Sequence, residues 1–224
     1  MVGDLAANTS AMPHRMHHVG ILAVLLAGLA GYVDAVGFIA SGGYFVSFMS
    51  GNSTRLGVGL GSGTEAAAIA AMLIAAFLAG TVAATLLRRK VPVRARESAV
   101  LAYVTVLLAT AAMVSSGHAM FALIPIAAAM GGMNLAFEVD GDVRVGLTYM
   151  TGTLVKLGMR IADAMIGGPP LGWMPYLLLW AGLVTGGVTG AFAQLAFGVL
   201  SLWLAAAFAL AVTVAVTMSR WRKA

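Results

Sequence analysis

Two short stretches carry most of the polar groups from which chemistry could be built. Phe48-Met49-Ser50-Gly51-Asn52-Ser53-Thr54-Arg55-Leu56-Gly57 and Tyr149-Met150-Thr151-Gly152-Thr153-Leu154-Val155-Lys156-Leu157-Gly158 match in residue type, apart from two variable positions, at a constant offset of 101. Upstream, Gly31-Tyr32-Val33-Asp34 meets Gly131-Gly132-Met133-Asn134 at an offset of 100. Asp34 can carry a proton or bind a cation. Arg55 and Lys156, at equivalent positions beside helix starts near Gly51 and Gly152, can attract an anion. Ser50, Asn52, Asn134, Thr151 and Thr153 add neutral donors and acceptors.

Each group also has a plainer reading. Asp34 can pair with Arg55 or accept from backbone. The cations can neutralise Asp34 or Asp163, or snorkel to headgroups. Lys156, Arg160 and Asp163 fit one stitched helix face. Hydroxyls and amides in lipid commonly join helices, which is the expectation for all of them except Ser50 and Asn52.

The elements that must position these residues are helices in a membrane. Of 224 residues, 61% are apolar and 9% charged, with 28 glycines and no cysteine. A soluble domain has roughly 25% charged residues, so an ordinary cytosolic enzyme, a disulfide-stapled domain and a disordered regulator are excluded. No stretch shows the alternating polarity of a barrel strand. Apolar windows of spanning length run over 19–39, 66–87, 99–116, 119–137, 173–192 and 198–218. The polar stretches 45–61 and 145–166 are weaker.

Charge placement decides between six and eight spans. Five of the 13 Lys/Arg are Arg88, Arg89, Lys90, Arg94 and Arg96, and three more are Arg220, Arg222 and Lys223. Six spans put both clusters and Arg15 on one face, the cytoplasmic one, whereas eight separate them. Six is therefore predicted, as a cytoplasmic tail over 1–18, membrane repeats over 19–116 and 117–218, and a basic cytoplasmic tail over 219–224. The clusters are topology signals, and no nucleic-acid partner is expected. Gly28-Leu29-Ala30 resembles a leader cleavage site, but the stretch has its counterpart in the second half, so cleavage is rejected.

Two repeats of three crossings must be inserted upside down relative to each other, the build that recurs in secondary transporters. Each repeat reads as span, broken or re-entrant polar segment, span, span. Gly42-Gly43, Gly59, Gly61 and Gly63, Gly141, and Gly167-Gly168-Pro169-Pro170 supply the breaks. The predicted fold is all-α and polytopic, with Arg55 and Lys156 converging near the midplane.

At Gly31-Tyr32-Val33-Asp34-Ala35-Val36-Gly37-Phe38 and from Phe45 to Gly57 the chain resembles the YoaK (DUF1275) family of bacterial inner-membrane proteins. The resemblance implies a multi-pass inner-membrane protein of about six helices and brings no substrate.

Other features read more simply. Gly182, Gly186 and Gly190 form a packing stripe that joins either the repeats or two subunits of a homo-oligomer. Trp173, Tyr176, Trp203 and Trp221 suit the interface belt. His14, His17 and His18 are read as incidental rather than metal-binding, and Glu138, Asp140 and Asp142 as a solvated loop. Metalloprotease and nucleophile-elbow motifs, facing aspartate pairs and an ATP-binding motif are missing. The expected protein is therefore no enzyme and has no cofactor. It moves a small polar or anionic solute or ion through the bilayer, as carrier or channel, and the alternative is a non-transporting scaffold or accessory subunit.

Overall fold

The computed structural model describes residues 12–139, 142–143 and 147–221. Eight helices follow one another: α1 (Met12–Ala40), α2 (Met49–Ser62), α3 (Ala66–Lys90), α4 (Arg96–Ser115), α5 (Ala119–Met133), α6 (Met150–Met165), α7 (Met174–Phe197) and α8 (Leu200–Trp221). Single 3-10 turns at Val93–Ala95 and Asn134–Phe137 extend α4 and α5, and a two-residue antiparallel ladder joins Glu138–Val139 to Asp142–Val143. Six helices are long and apolar enough to cross a membrane: Gly20–Ala40, Ala66–Lys90, Val93–Ser115, Met120–Phe137, Met174–Phe197 and Leu200–Trp221. These correspond to the six windows expected. In hydrocarbon every backbone N–H and C=O must be paired within its own segment, so apolar runs of this length become helices.

α2 and α6 have 14 and 16 residues. At 1.5 Å per residue they reach about 21 and 24 Å, short of the roughly 30 Å of hydrocarbon. Neither is broken internally. Gly42, Gly43, Gly63 and Gly167, all at positive φ, lie outside the helices at the flanks of the two segments, as expected, whereas Gly59 and Gly61 lie inside α2; Gly141 lies outside the described residues. Gly59 is kept because α2 packs closely on the backbone of Ala67, where α3 begins.

Helix directions follow from paired contacts. Gly182 meets Val24, Gly186 meets Gly28 and Gly190 meets Tyr32, so α1 and α7 run parallel. Gly80 meets Ala128 and Arg88 reaches Leu135, so α3 and α5 also run parallel. Thr105 bonds Thr213 and Glu97 pairs with Arg220, so α4 and α8 are antiparallel. Because α7 leads directly into α8, the ends of α3, α5 and α8 and the starts of α4 and α7 share one end of the bundle. That end carries Arg88, Arg89, Lys90, Arg94, Arg96 and Arg220. The two basic clusters therefore do share a face as far as Arg220; Arg222 and Lys223 lie outside the described residues. α1 and α5, the first helix of each half, run in opposite directions.

The glycine contacts repeat between halves. A Cβ on Gly31 would strike the Leu183 carbonyl, and one on Gly131 the Phe77 carbonyl; one on Gly186 would strike Gly28, and one on Gly80 Ala128. The first helix of each half thus lies backbone to backbone against the penultimate span of the other. Of the two readings of Gly182, Gly186 and Gly190, the structure shows the one in which they join the two halves. They are used against α1 of the same chain, because only a bare Cα lets α7 approach that closely. The core is the apolar inner face of α1, α4, α5 and α8, with Leu26, Val33, Leu101, Leu108, Leu123 and Met130 fully buried.

Arg88 closes the basic end. Its guanidinium, 6% exposed, donates to the carbonyls of Leu135 (2.6 Å) and Glu138 (3.0 Å) and pairs with the Glu138 carboxylate at 2.5 Å. Glu138 is thus bound into the bundle, a correction to its assignment to a solvated loop. Asp140 lies outside the described residues, as do the side chains of Asp142 and of His14, His17 and His18. Truncating one partner of a buried pair strands the other charge, at about 3–5 kcal/mol. Arg88→Leu is expected to lower stability by about 3 kcal/mol, the low end because Glu138 retains some solvent, as read from thermal unfolding in detergent.

Candidate functional site

The polar residues singled out by type gather at two opposite ends. At the end away from the basic clusters, α1 finishes at Ala40 and the chain doubles back. Asp34, one and a half turns before the helix end, accepts at Oδ1 from the backbone N–H of Val46 (2.8 Å) and Ser47 (2.9 Å). Asn52, fully buried in the first turn of α2, clamps the same connector. Its Oδ1 accepts from Phe45 N at 3.1 Å and its Nδ2 donates to Phe45 O at 2.6 Å. Phe38, Phe45 and Phe48 pack ring to ring at 5.0 and 5.2 Å. The connector is therefore a folded platform.

Asp34 makes no ion pair among the described residues; its partners are the backbone amides of Val46 and Ser47, with the Ser47 hydroxyl beside them. Of its two plainer readings the backbone one holds, and Arg55 is not its partner. The Arg55 guanidinium lies over the Tyr44 ring, 4.7 Å from the centroid, a geometry in which the ring face stabilises the cation. It also lies against Gly43, at φ 115°, where a Cβ would sit 2.9 Å from an Arg55 nitrogen. Ser50 is exposed.

The basic end repeats this design with neutral groups. Asn134, 3% exposed, accepts at Oδ1 from the Thr148 hydroxyl (3.3 Å) and donates to Met130 O (3.1 Å). Ser47 and Thr148 stand 101 apart, as do the fully buried Val46 and Leu147. The caps Phe48 and Tyr149 share φ −89° and end their connectors one residue before α2 and α6. Sequence reasoning missed Ser47 and Thr148, although the offset of 101 continues through them.

The remaining residues are not brought together. α6 has no buried residue and packs on α7, while α2 packs on α3; the two short helices share no interface. Lys156 is exposed and makes no ion pair among the described residues, and Thr151 is exposed. Thr153 donates to Tyr149 O within its own helix, at 3.4 Å. Arg160 pairs with Asp163 at 3.1 Å, three residues on, as one stitched face requires, but without Lys156. Arg55 and Lys156 thus do not meet at a midplane centre, because each is carried by a peripheral helix of a different half. Tyr32, also missed, donates to the Ser201 carbonyl at 3.0 Å, and the Ser201 hydroxyl bonds Gln194 at 2.6 Å.

Six spanning helices with polar side chains turned onto connector loops define a polytopic helical membrane protein. The chain belongs to the DUF1275 family, described as a protein of unknown function, which it matches over residues 22–215. It is 33% identical over 202 residues to UPF0700 transmembrane protein RA0705 of Rhizobium meliloti, covering 90% of this chain and 88% of that one. No solved structure matches the chain.

Proposed function

We propose that the protein is a secondary transporter of the bacterial inner membrane, not an enzyme, which moves a small polar or anionic solute and couples the movement to a proton at Asp34. The two halves act as inverted repeats, each with a polar connector dipping back from its end of the bundle. Supporting this are the opposed directions of α1 and α5, the glycine contacts repeated at offsets of 100 and 106, and the matching caps on α2 and α6. The Lys/Arg-rich end faces the cytoplasm, with both termini on that side.

One observation carries the coupling. The closely packed pairs α1/α7 and α3/α5 touch each other far less than their members do, which suits two bodies that shift relative to one another. The chain passes from one to the other through the connector that Asp34 holds. An ionised carboxylate binds two N–H groups roughly twice as strongly as a neutral acceptor. Protonation of Asp34 therefore loosens the link between the bodies, and Asn134, which does not titrate, leaves the opposite link constant. Ser50 and Arg55 line the approach to that connector, and the buried Asn52 fixes its shape. A scaffold or accessory-subunit role is the second reading, favoured by the separation of Arg55 from Lys156.

The test is flux in proteoliposomes carrying a pH-sensitive dye, driven by a panel of small anions and polar solutes. Solute-dependent proton movement in the parent is expected. No movement with any solute supports the scaffold. Sidedness is checked separately, since the parent lacks cysteine. Arg94→Cys and Ser219→Cys are expected to react with an impermeant maleimide only from the cytoplasmic face; labelling of one from each side would reject six spans.

A further inference from the structure

We infer that the connection between α3 and α4 is a binding site for the phosphate headgroup of an anionic phospholipid, with Arg96 as its recognition donor. Among the described residues the basic end holds six cations, from Arg88 to Arg220, and the two acids whose side chains are described there, Glu97 and Glu138, are already committed. Glu138 is bound to Arg88, and Glu97 to Arg220, which also donates to the Arg94 carbonyl at 3.1 Å. Among the described residues Arg89, Lys90, Arg94 and Arg96 therefore have no acidic partner, within eight consecutive positions.

Arg96 differs from the other three. Arg89, Lys90 and Arg94 are exposed, whereas Arg96 is half-buried and its Nε–H is enclosed with no acceptor among the described residues. A buried donor without a partner is destabilising, so its place in the first turn of α4 points to an acceptor that is not part of the protein. Pro92 and Val93, the latter 71% exposed, make the tip of the connection and present an apolar edge beside the charges. Guanidinium forks match phosphate oxygens bidentately. Basic clusters adjoining a span are drawn to anionic leaflets. A headgroup phosphate satisfies the Nε–H, is surrounded by three further cations, and leaves its acyl chains along α3 and α4.

The site does not depend on transport and is tested without it. Full-length protein is placed in nanodiscs of phosphatidylcholine with or without phosphatidylglycerol, and thermal unfolding and co-purified lipid are measured. Phosphatidylglycerol is expected to raise the parent's Tm. Arg96→Gln is expected to match the parent in phosphatidylcholine, lose most of the increment, and retain about fivefold less phosphatidylglycerol, the factor for one cation at an anionic surface. Arg160→Gln, on the exposed ion pair of α6, serves as control and keeps the increment. An Arg96→Gln variant as responsive as the parent overturns the proposal. So does inorganic phosphate reproducing the shift in phosphatidylcholine, since the ligand is then a soluble anion.

Discussion

Asp34→Asn is expected to leave the protein folded and to abolish proton movement in proteoliposomes. The amide oxygen occupies the position of Oδ1 and still accepts from Val46 and Ser47, as the Asn134 oxygen accepts from Thr148 at the other end. What is lost is the ability to change charge. Solute flux down its own gradient persists while the response to an imposed pH gradient disappears. Asp34→Ala separates this effect from structure. It removes the acceptor from two connector N–H groups and, at about 1.5–3 kcal/mol for a bond to a charged group, lowers stability by at least about 2 kcal/mol in thermal unfolding. If Asp34→Asn moves protons as the parent does, the coupling residue lies elsewhere. If Asp34→Ala also unfolds at the parent's temperature, the connector is held by Asn52 alone.

The second large effect is on folding. Gly31→Ala and Gly131→Ala each drive a methyl into a carbonyl of the facing helix, at Leu183 and Phe77 respectively. Backbone cannot yield as a flexible side chain does, so α1 and α7, or α3 and α5, must separate. Overpacking costs about 1–3 kcal/mol, and both variants are expected at or above the top of that range, with matched losses of Tm because the two contacts are equivalent. Gly158→Ala on α6 meets nothing within 4 Å and is expected to gain up to about 1 kcal/mol from helix propensity. Light scattering in detergent tests the alternative reading, in which the stripe joins two subunits. Were the α7 stripe an interface between subunits, Gly186→Ala would change the mass of the particle and spare its Tm. An unchanged mass with a lowered Tm is expected.

The residues showed some of this site and concealed the rest. The offsets of 100 and 101 singled out Asp34, Asn134 and Asn52, and all three turned out to hold connectors: Asp34 from α1, Asn52 from the first turn of α2 and Asn134 from the 3-10 turn that follows α5. The offsets could not say what each would hold. A carboxylate twenty-one positions from an arginine invites an ion pair, but a guanidinium six residues past the start of its helix reaches whatever the connector presents, here the face of Tyr44. Arg88 was legible only as a topology charge. That it is buried and captures the end of α5 depends on the parallel packing of α3 and α5, which no local pattern encodes.

The chain by itself determined the number of spans, the common face of the basic clusters and the register of the two halves. The first two follow from hydropathy and charge summed over windows, which the bilayer reads one segment at a time, and the third from residue types matched at offsets of 100 and 101. Only the tertiary structure decided that the glycine stripe of α7 is spent on α1, that Asp34 binds backbone rather than Arg55, and that the two short helices stay apart. Those outcomes rest on helix rotation and on the path of the connectors, where an ångström or a few tens of degrees changes which group lies within hydrogen-bond reach.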